Sequence, residues 1–485
     1  MRQGEEMSSP ARAAHDGTTP ENLRAFMLTG WAAPPQTLPE PIPGAERFAA
    51  RRRTLAALFP RETLVIPTGH EKIRANDTTY RFRPGTDFYY LTGNLEPDGV
   101  LVLAPSSDGP DEMLFVEPNP GKTDPTFFSD RSKGELWVGP RLGVPQTSAR
   151  YGLAARPLGE LEAACAALAG AGACRLLRGI DPALDARFPA QDERDGELAA
   201  ALSELRLIKD ELELDAVRQA IAATKRGFED VIRALPEAAT ERVVEGVFNL
   251  RARVEGNDVG YGTIAASGPN ACILHWTRND RALHDGDLLL LDAGVEGESL
   301  YTADVTRTLP ISGTFAPEQR EIYQLVLDAH AAALEECRPG RDFLDPNRAA
   351  MRVLAAGLAR LGILRTTPEE ALAEENQFYK RYSLHNVSHM LGLDVHDCAA
   401  ARAETYRYGK LEAGMVLTVE PGLYFQIDDL TVPARYRGIG IRIEDDVAIT
   451  ADGCEVLSAA IPRGADEVER WIAGLFARPE GVAAD

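Results

Sequence analysis

Four acidic residues sit at or near the ends of apolar strands, and three of the chain's eight histidines fall within twelve residues. Asp292 closes the run Asp287-Leu-Leu-Leu-Leu-Asp292-Ala-Gly, where a buried charge is costly unless a cation lies beside it. Asp304 follows inside Tyr301-Thr-Ala-Asp-Val-Thr-Arg-Thr-Leu309. A hairpin centred near Glu298 makes Asp292 and Asp304 direct cross-strand neighbours. Like charges so opposed destabilise a sheet unless a metal lies between them, and carboxylate oxygens suit a divalent ion.

A second acidic pair is expected further along. In Gly438-Ile-Gly-Ile-Arg-Ile-Glu444-Asp-Asp-Val the alternation puts Arg442 and Glu444 on one face, and in Met415-Val-Leu-Thr-Val-Glu420-Pro-Gly it leaves Glu420 at the strand tip. The cluster His385-Asn-Val-Ser-His389-Met-Leu-Gly-Leu-Asp-Val-His396 is the densest local source of imidazole ligands or proton carriers. Each feature has a bland reading. Among 74 acidic residues most are solvated surface charges, Arg442 and Glu444 can pair across solvent for little energy, and His385 and His389 can share one side of an exposed helix.

Elements able to hold such side chains are readable. From about 46 to 200, short apolar runs (Thr63–Pro67, Val100–Ala104, Met113–Val116) alternate with a helical stretch near Leu158–Leu168, a mixed α/β pattern. Near 209 the style changes: Val217, Ile221, Thr224, Phe228, Val231 and Leu235 form one face of an amphipathic helix. Helices are predicted from Glu318 to about Cys337 and from Asp345 to Leu361, with Asp345 as N-cap and Pro346 at N1. Strands are predicted over Asp287–Ala293, Tyr301–Leu309, Met415–Glu420 and Gly438–Ile449. The fold class is therefore α/β (α+β). A Pro-rich arm over 1–45, extended and weakly packed, precedes a first domain over 46–205 and a second over 206–485.

Composition narrows the function. The 485 residues carry 52 Lys and Arg against 74 Asp and Glu, a net charge of −22 that repels a phosphate backbone and argues against nucleic acid. No window reaches the roughly 18 apolar residues of a membrane span. The start Met1-Arg2-Gln3-Gly4-Glu5-Glu6 has no apolar core of a secretory signal, and six scattered cysteines without a Cys-x-x-Cys pair fit a reducing cytoplasm. Gly260-Tyr-Gly262-Thr-Ile-Ala265 loosely fits a dinucleotide loop but reads better as a turn using glycine-permitted geometry. Gly121-Lys122-Thr123 fails as a phosphate loop because Val116 stands where the first glycine is needed. His-Glu-x-x-His and Gly-x-Ser-x-Gly are both missing, which leaves acidic metal chemistry.

In order, Asp292-Ala-Gly, Asp304, His389, Glu420-Pro-Gly and Glu444 resemble the five-ligand set of the pita-bread metallopeptidases. The flanking Cys272-Ile-Leu-His275-Trp-Thr and Tyr436-Arg-Gly-Ile-Gly-Ile-Arg442 are most similar to aminopeptidase P, as is Phe82-Arg-Pro-Gly-Thr-Asp87-Phe-Tyr-Tyr-Leu-Thr-Gly93 in the first domain. The resemblance implies an aminopeptidase P N-terminal domain followed by a pita-bread catalytic domain. It also implies two divalent ions, Mn²⁺ first with Co²⁺ or Zn²⁺ as alternatives. Asp292 is placed on one ion, His389 and Glu420 on the other, and Asp304 and Glu444 bridge both. A bridging hydroxide would attack the scissile carbonyl, with Glu420 taking the proton. His275, His385 and His396 would bind substrate, and Arg442 would hold a carboxylate ligand in place. The implied substrates are peptides with proline second, cut before the proline by a homo-oligomer, dimer or tetramer. The alternatives are a prolidase restricted to Xaa-Pro dipeptides and a metal-free binding module.

Overall fold

The computed structural model describes residues 19–33, 37–107, 109–171 and 173–477. The reading of Met1 to Glu6 and part of the arm, residues 1–18 and 34–36, lie outside the described residues. The chain divides into two compact units, one ending at Leu198 and the other beginning at Ala199.

The first unit is built on a five-stranded sheet ordered Ala154–Pro157, Asp111–Val116, Val100–Ala104, Glu62–Pro67, Ala173–Leu176. The runs Val100–Ala104 and Thr63–Pro67 are buried throughout because they are inner strands covered on both faces. Val65, Val102, Phe115 and Leu176 pack there against Leu161 and Cys165 of the helix Leu161–Ala171. The described part of the arm holds a seven-residue helix, Glu21–Met27, with no buried residue. Beyond it the Trp31 ring meets Phe127 edge-on at 5.2 Å, and the Ile42 N–H donates to the Arg150 carbonyl at 2.9 Å.

The second unit opens with the helix Glu211–Ala234, capped by reciprocal hydrogen bonds between Asp210 and Glu213. Val217, Ile221, Thr224, Phe228 and Val231 are buried along it, the face read from their spacing. It packs on the helix Glu241–Glu255, where Gly227 leaves room for the Phe248 ring; a Cβ there would lie 2.7 Å from it. The predicted helix Glu318–Cys337 is Pro317–Glu336. The helix predicted over Asp345–Leu361 is Asp345–Arg360, with Leu344 at the N-cap position rather than Asp345.

The strands carry two corrections. Leu288–Ala293 pairs antiparallel with Val305–Pro310, but Asp292 faces Thr306, so Asp304 is not its direct neighbour. The connecting turn centres on Ser299, with Gly297 N–H donating to the Tyr301 carbonyl and Leu300 at φ 61°. A slip of two residues keeps both aspartates on one face, whereas a slip of one would have separated them. The run Gly438–Ile449 is two strands. Gly440–Arg442 pairs with Gly422–Tyr424, and Asp445–Ile449 pairs with Val416–Val419. Between them Ile443 N–H donates to Pro421 and Glu444 N–H to Thr306, so Glu444 lies at the seam where the chain changes partners.

The histidine segment is not helical. Glu420 N–H donates to the Val387 carbonyl, Thr418 N–H to that of His389 and Leu391 N–H to that of Val416. The segment thus runs along the edge of Val416–Val419 and delivers His389 beside Glu420.

Candidate active site

A cavity of about 600 Å³ in the second unit is lined by all nine residues singled out in the sequence: His275, Asp292, Asp304, His385, His389, His396, Glu420, Arg442 and Glu444. Ile264, Leu274 and Val395 supply apolar wall.

Asp304, His389 and Glu444 offer donor atoms that all lie within 4.8 Å of one another. His389 Nδ1 sits 3.2 Å from the Met390 carbonyl and must donate to it. That leaves Nε2 facing Asp304 Oδ2 at 3.3 Å and Glu420 Oε1 at 3.5 Å, where either a proton or a cation must stand between the nitrogen and the two carboxylates. Burial opposes charge on this ring, but the Asp304 hydrogen bond and the Glu420 charge outweigh it and raise its pKa. Burial, with repulsion from one another and from Asp292, pushes Asp304, Glu420 and Glu444 above the usual carboxylate range. A ring nitrogen and buried acids all pointing lone pairs at a common space fit divalent cations, which neutralise the acids and take the imidazole nitrogen.

Asp292 joins this group through neighbours. The Tyr261 hydroxyl lies 2.6 Å from Asp292 Oδ1 and also contacts Asp304 Oδ1. Burial and these carboxylates keep the phenol protonated well above its ordinary range, so Tyr261 ties the two aspartates together as a donor. Arg442 Nη2 donates to Asp292 Oδ2, and its Nε contacts Thr306 Oγ1 at 3.1 Å, whose hydroxyl donates to Glu444 Oε2 at 2.7 Å. One buried guanidinium therefore reaches two acids, and it pairs with Asp292 rather than Glu444.

Arg442 Nη1 also donates to the Tyr424 oxygen at 2.9 Å. The Tyr424 O–H then donates to His385 Nε2 at 2.7 Å, which assigns the ring proton to Nδ1, donating to the Asn386 carbonyl at 2.9 Å. Burial, then the Arg442 charge, lowers His385 to about 4, so it is neutral at pH 7. His396 meets the His389 ring edge-on at 4.4 Å, and burial followed by the His389 charge lowers its pKa. His275 lines the same cavity, exposed to solvent, with no hydrogen bond to its ring among the described residues.

Residues 215–451 match metallopeptidase family M24, and residues 48–175 match the aminopeptidase P N-terminal domain. The chain is 50% identical over 478 residues to Xaa-Pro aminopeptidase 1 of Streptomyces coelicolor, across 97% of this chain and 96% of that protein. The chain belongs to metallopeptidase family M24. It is also 34% identical to the Xaa-Pro aminopeptidase of Escherichia coli, over 87% of this chain and 97% of that one. Among solved structures it is similar to aminopeptidase P from E. coli with the inhibitor Pro-Leu, at a TM-score of 0.81 and 32% identity, covering 90% of this chain and 100% of that chain. Aminopeptidase PepP of Pseudomonas aeruginosa is similar at a TM-score of 0.80 and 34% identity, with the same coverage. The M24 chain is thus a metallopeptidase of mixed α/β fold, with an aminopeptidase P N-terminal domain and a pita-bread catalytic domain that works with divalent metal ions.

Sequence reasoning assigned no role to Tyr261, Thr306 or Tyr424. Tyr261 lies inside the Gly260-Tyr-Gly262 decoy, and the glycines were its signal. Gly260 has no left-handed φ; a Cβ on it would fall 1.9 Å from Thr302 Oγ1, so the residue is small to let two strands close around the acids.

Proposed function

We propose that this metallopeptidase removes the amino-terminal residue from peptides with proline in second position. The observation that carries the proposal is one cavity lined by five residues able to ligate metal, Asp292, Asp304, His389, Glu420 and Glu444, beside three further imidazoles. The names of the relatives, Xaa-Pro aminopeptidases, support it.

These five residues would hold two divalent ions, Mn²⁺ first and Co²⁺ or Zn²⁺ as alternatives; when bound, the ions would acidify a water and polarise the scissile carbonyl. The Glu420 carboxylate, ionised once a cation lies beside it, would take up a proton in the cavity and pass it towards the leaving nitrogen. His385, neutral with its Nδ1 proton on the Asn386 carbonyl and its Nε2 held by the Tyr424 hydroxyl, is a fixed wall against which the substrate packs, while His275 and His396 flank the substrate. Arg442 and Tyr261 hold the aspartates in place. Proline after the scissile bond gives an amide without N–H, so recognition rests on ring shape against the imidazoles and Ile264, Leu274 and Val395. The assignment of residues 46–205 and 206–485 to the two domains, a homo-oligomeric assembly and a cytoplasmic location belong to the same proposal; six free cysteines support the last.

Metal-stripped protein, assayed with Xaa-Pro-Xaa tripeptides and Xaa-Pro dipeptides with and without Mn²⁺, tests it. Mn²⁺-dependent release from the tripeptide is expected. Cleavage of the dipeptide alone would reassign the chain as a prolidase, and cleavage of neither would leave a binding module.

A further inference from the structure

The side chain of Glu241 is fully buried at the first position of the helix Glu241–Glu255, and its carboxylate gathers donors from a single loop. Oε1 accepts from the Ser267 N–H at 2.7 Å, the Ser267 hydroxyl at 2.8 Å and Asn270 Nδ2 at 3.1 Å. Oε2 accepts from Trp276 Nε1 at 2.8 Å and the Arg281 N–H at 3.0 Å. The Glu241 N–H returns a hydrogen bond to the Arg281 carbonyl at 3.0 Å. Five side-chain and backbone donors thus converge on one carboxylate at a helix N-terminus. It pins the start, the middle and the end of the loop from Ser267 to Arg281.

That loop carries His275. Its ring has no hydrogen bond of its own among the described residues, so its place in the cavity is the place of its backbone. The next residue, Trp276, packs against the cluster of Ile264, Cys272, Leu290 and Tyr424 and points its indole N–H at Glu241. On the far side Asn279, buried at φ 47°, accepts from the Ala265 N–H and donates to the Thr263 carbonyl. His275 is thus held between two buried polar anchors, one of which is charged.

We propose that Glu241 is a positioning residue for the peptidase reaction: through the Trp276 indole it sets where His275 stands in the substrate cavity. The inference rests on the substrate role given to His275 above. Glu241 itself touches neither the cavity lining nor the metal ligands, and it acts only through the loop it clamps.

The test is a double-mutant cycle on the full Mn²⁺-loaded chain. Trp276→Phe keeps the ring packing and removes one hydrogen bond; it is made in the parent and in His275→Ala. The readouts are the affinity for Pro-Leu by calorimetry, kcat/KM for an Xaa-Pro-Xaa tripeptide, and the thermal unfolding midpoint. Losing one hydrogen bond to a charge is expected to weaken Pro-Leu binding and kcat/KM about tenfold in the parent. In the His275→Ala background the same change is expected to have no further effect on either, while the midpoint shifts equally in both. An equal loss of affinity in both backgrounds, or no loss in the parent, would overturn the proposal. A His275→Ala chain with full affinity and turnover would instead remove the role of His275, and this inference with it.

Discussion

The Tyr424 hydroxyl donates to Nε2 of His385 across 2.7 Å while its oxygen accepts from Arg442, so a cation on one side of the site dictates the tautomer of an imidazole on the other. Tyr424→Phe removes that link without removing the ring. It leaves a buried guanidinium N–H and an imidazole nitrogen unpaired, at a cost of about 2 kcal/mol in stability. Turnover of proline peptides should fall about tenfold, because His385 no longer holds one tautomer. Chemical unfolding and steady-state kinetics on the same preparation check both figures, and unchanged kinetics would remove the tautomer argument.

The Asp304 carboxylate meets the Tyr261 hydroxyl and His389 Nε2, while its backbone N–H donates to the Asp446 carboxylate at 3.1 Å. Asp304→Asn exchanges an anionic oxygen for an amide nitrogen that repels a cation. Activity and bound metal should be lost together, as read by elemental analysis of the purified variant. Retention of both would refute the ligand assignment.

Asp397, one residue beyond His396, lies between two cations: Arg206 Nε donates to Oδ1 at 3.0 Å, and Lys209 Nζ stands 3.9 Å from Oδ2. The Lys209 amine is buried and has no hydrogen-bond partner among the described residues. Lys209→Met should therefore be neutral or stabilising by about 1 kcal/mol, since it removes an unsatisfied buried donor. Asp397→Asn should cost about 3 kcal/mol, because it strands the cations. Urea midpoints for the pair decide the matter, and the opposite order would refute it.

Asp445 is fully buried between Arg307, His330 and Arg463, with the Ser458 hydroxyl on Oδ1. Burial alone would raise its pKa, but the Arg307 charge, with His330 Nε2 at 3.2 Å, wins and holds it well below the ordinary value. A depressed folded pKa gives stability that is complete above the unfolded pKa and is lost as pH falls through the folded one. The stability gap between the parent and Asp445→Asn should thus be constant around neutrality and shrink on acidification below the usual carboxylate range. A gap that widens with acid would contradict the charge assignment.

The acids and histidines were legible because chemistry restricts their types: a carboxylate that ends an apolar strand is rare enough to be noticed, and four of them with His389, in order, resemble one family. The helices Pro317–Glu336 and Asp345–Arg360 were legible to within a residue or two, whereas Glu241–Glu255 was not read. Register was not. The offset between Asp292 and Asp304 depends on a turn closing through Leu300 at φ 61°, a conformation that leucine does not announce. Nor was the break at Glu444 visible, since Gly438–Ile449 is β-rich throughout and only its two separate partners divide it. Tyr261 and Tyr424 escaped notice because a buried hydroxyl reads as an ordinary aromatic until its neighbours are known.

The seam at Glu444 also bears on how the molecule comes to be active. The strand before it completes one sheet and the strand after it another, and Asp292, His389 and Glu420 each arrive from further stretches of chain. Hairpins form early because their closing loops are short, whereas the Thr306–Glu444 contact at this meeting point closes across 138 residues. A refolding chain should recover its circular dichroism before its catalysis, and a metal added late should serve as well as one present from the start. The centre should therefore be assembled only after the hairpins that frame it.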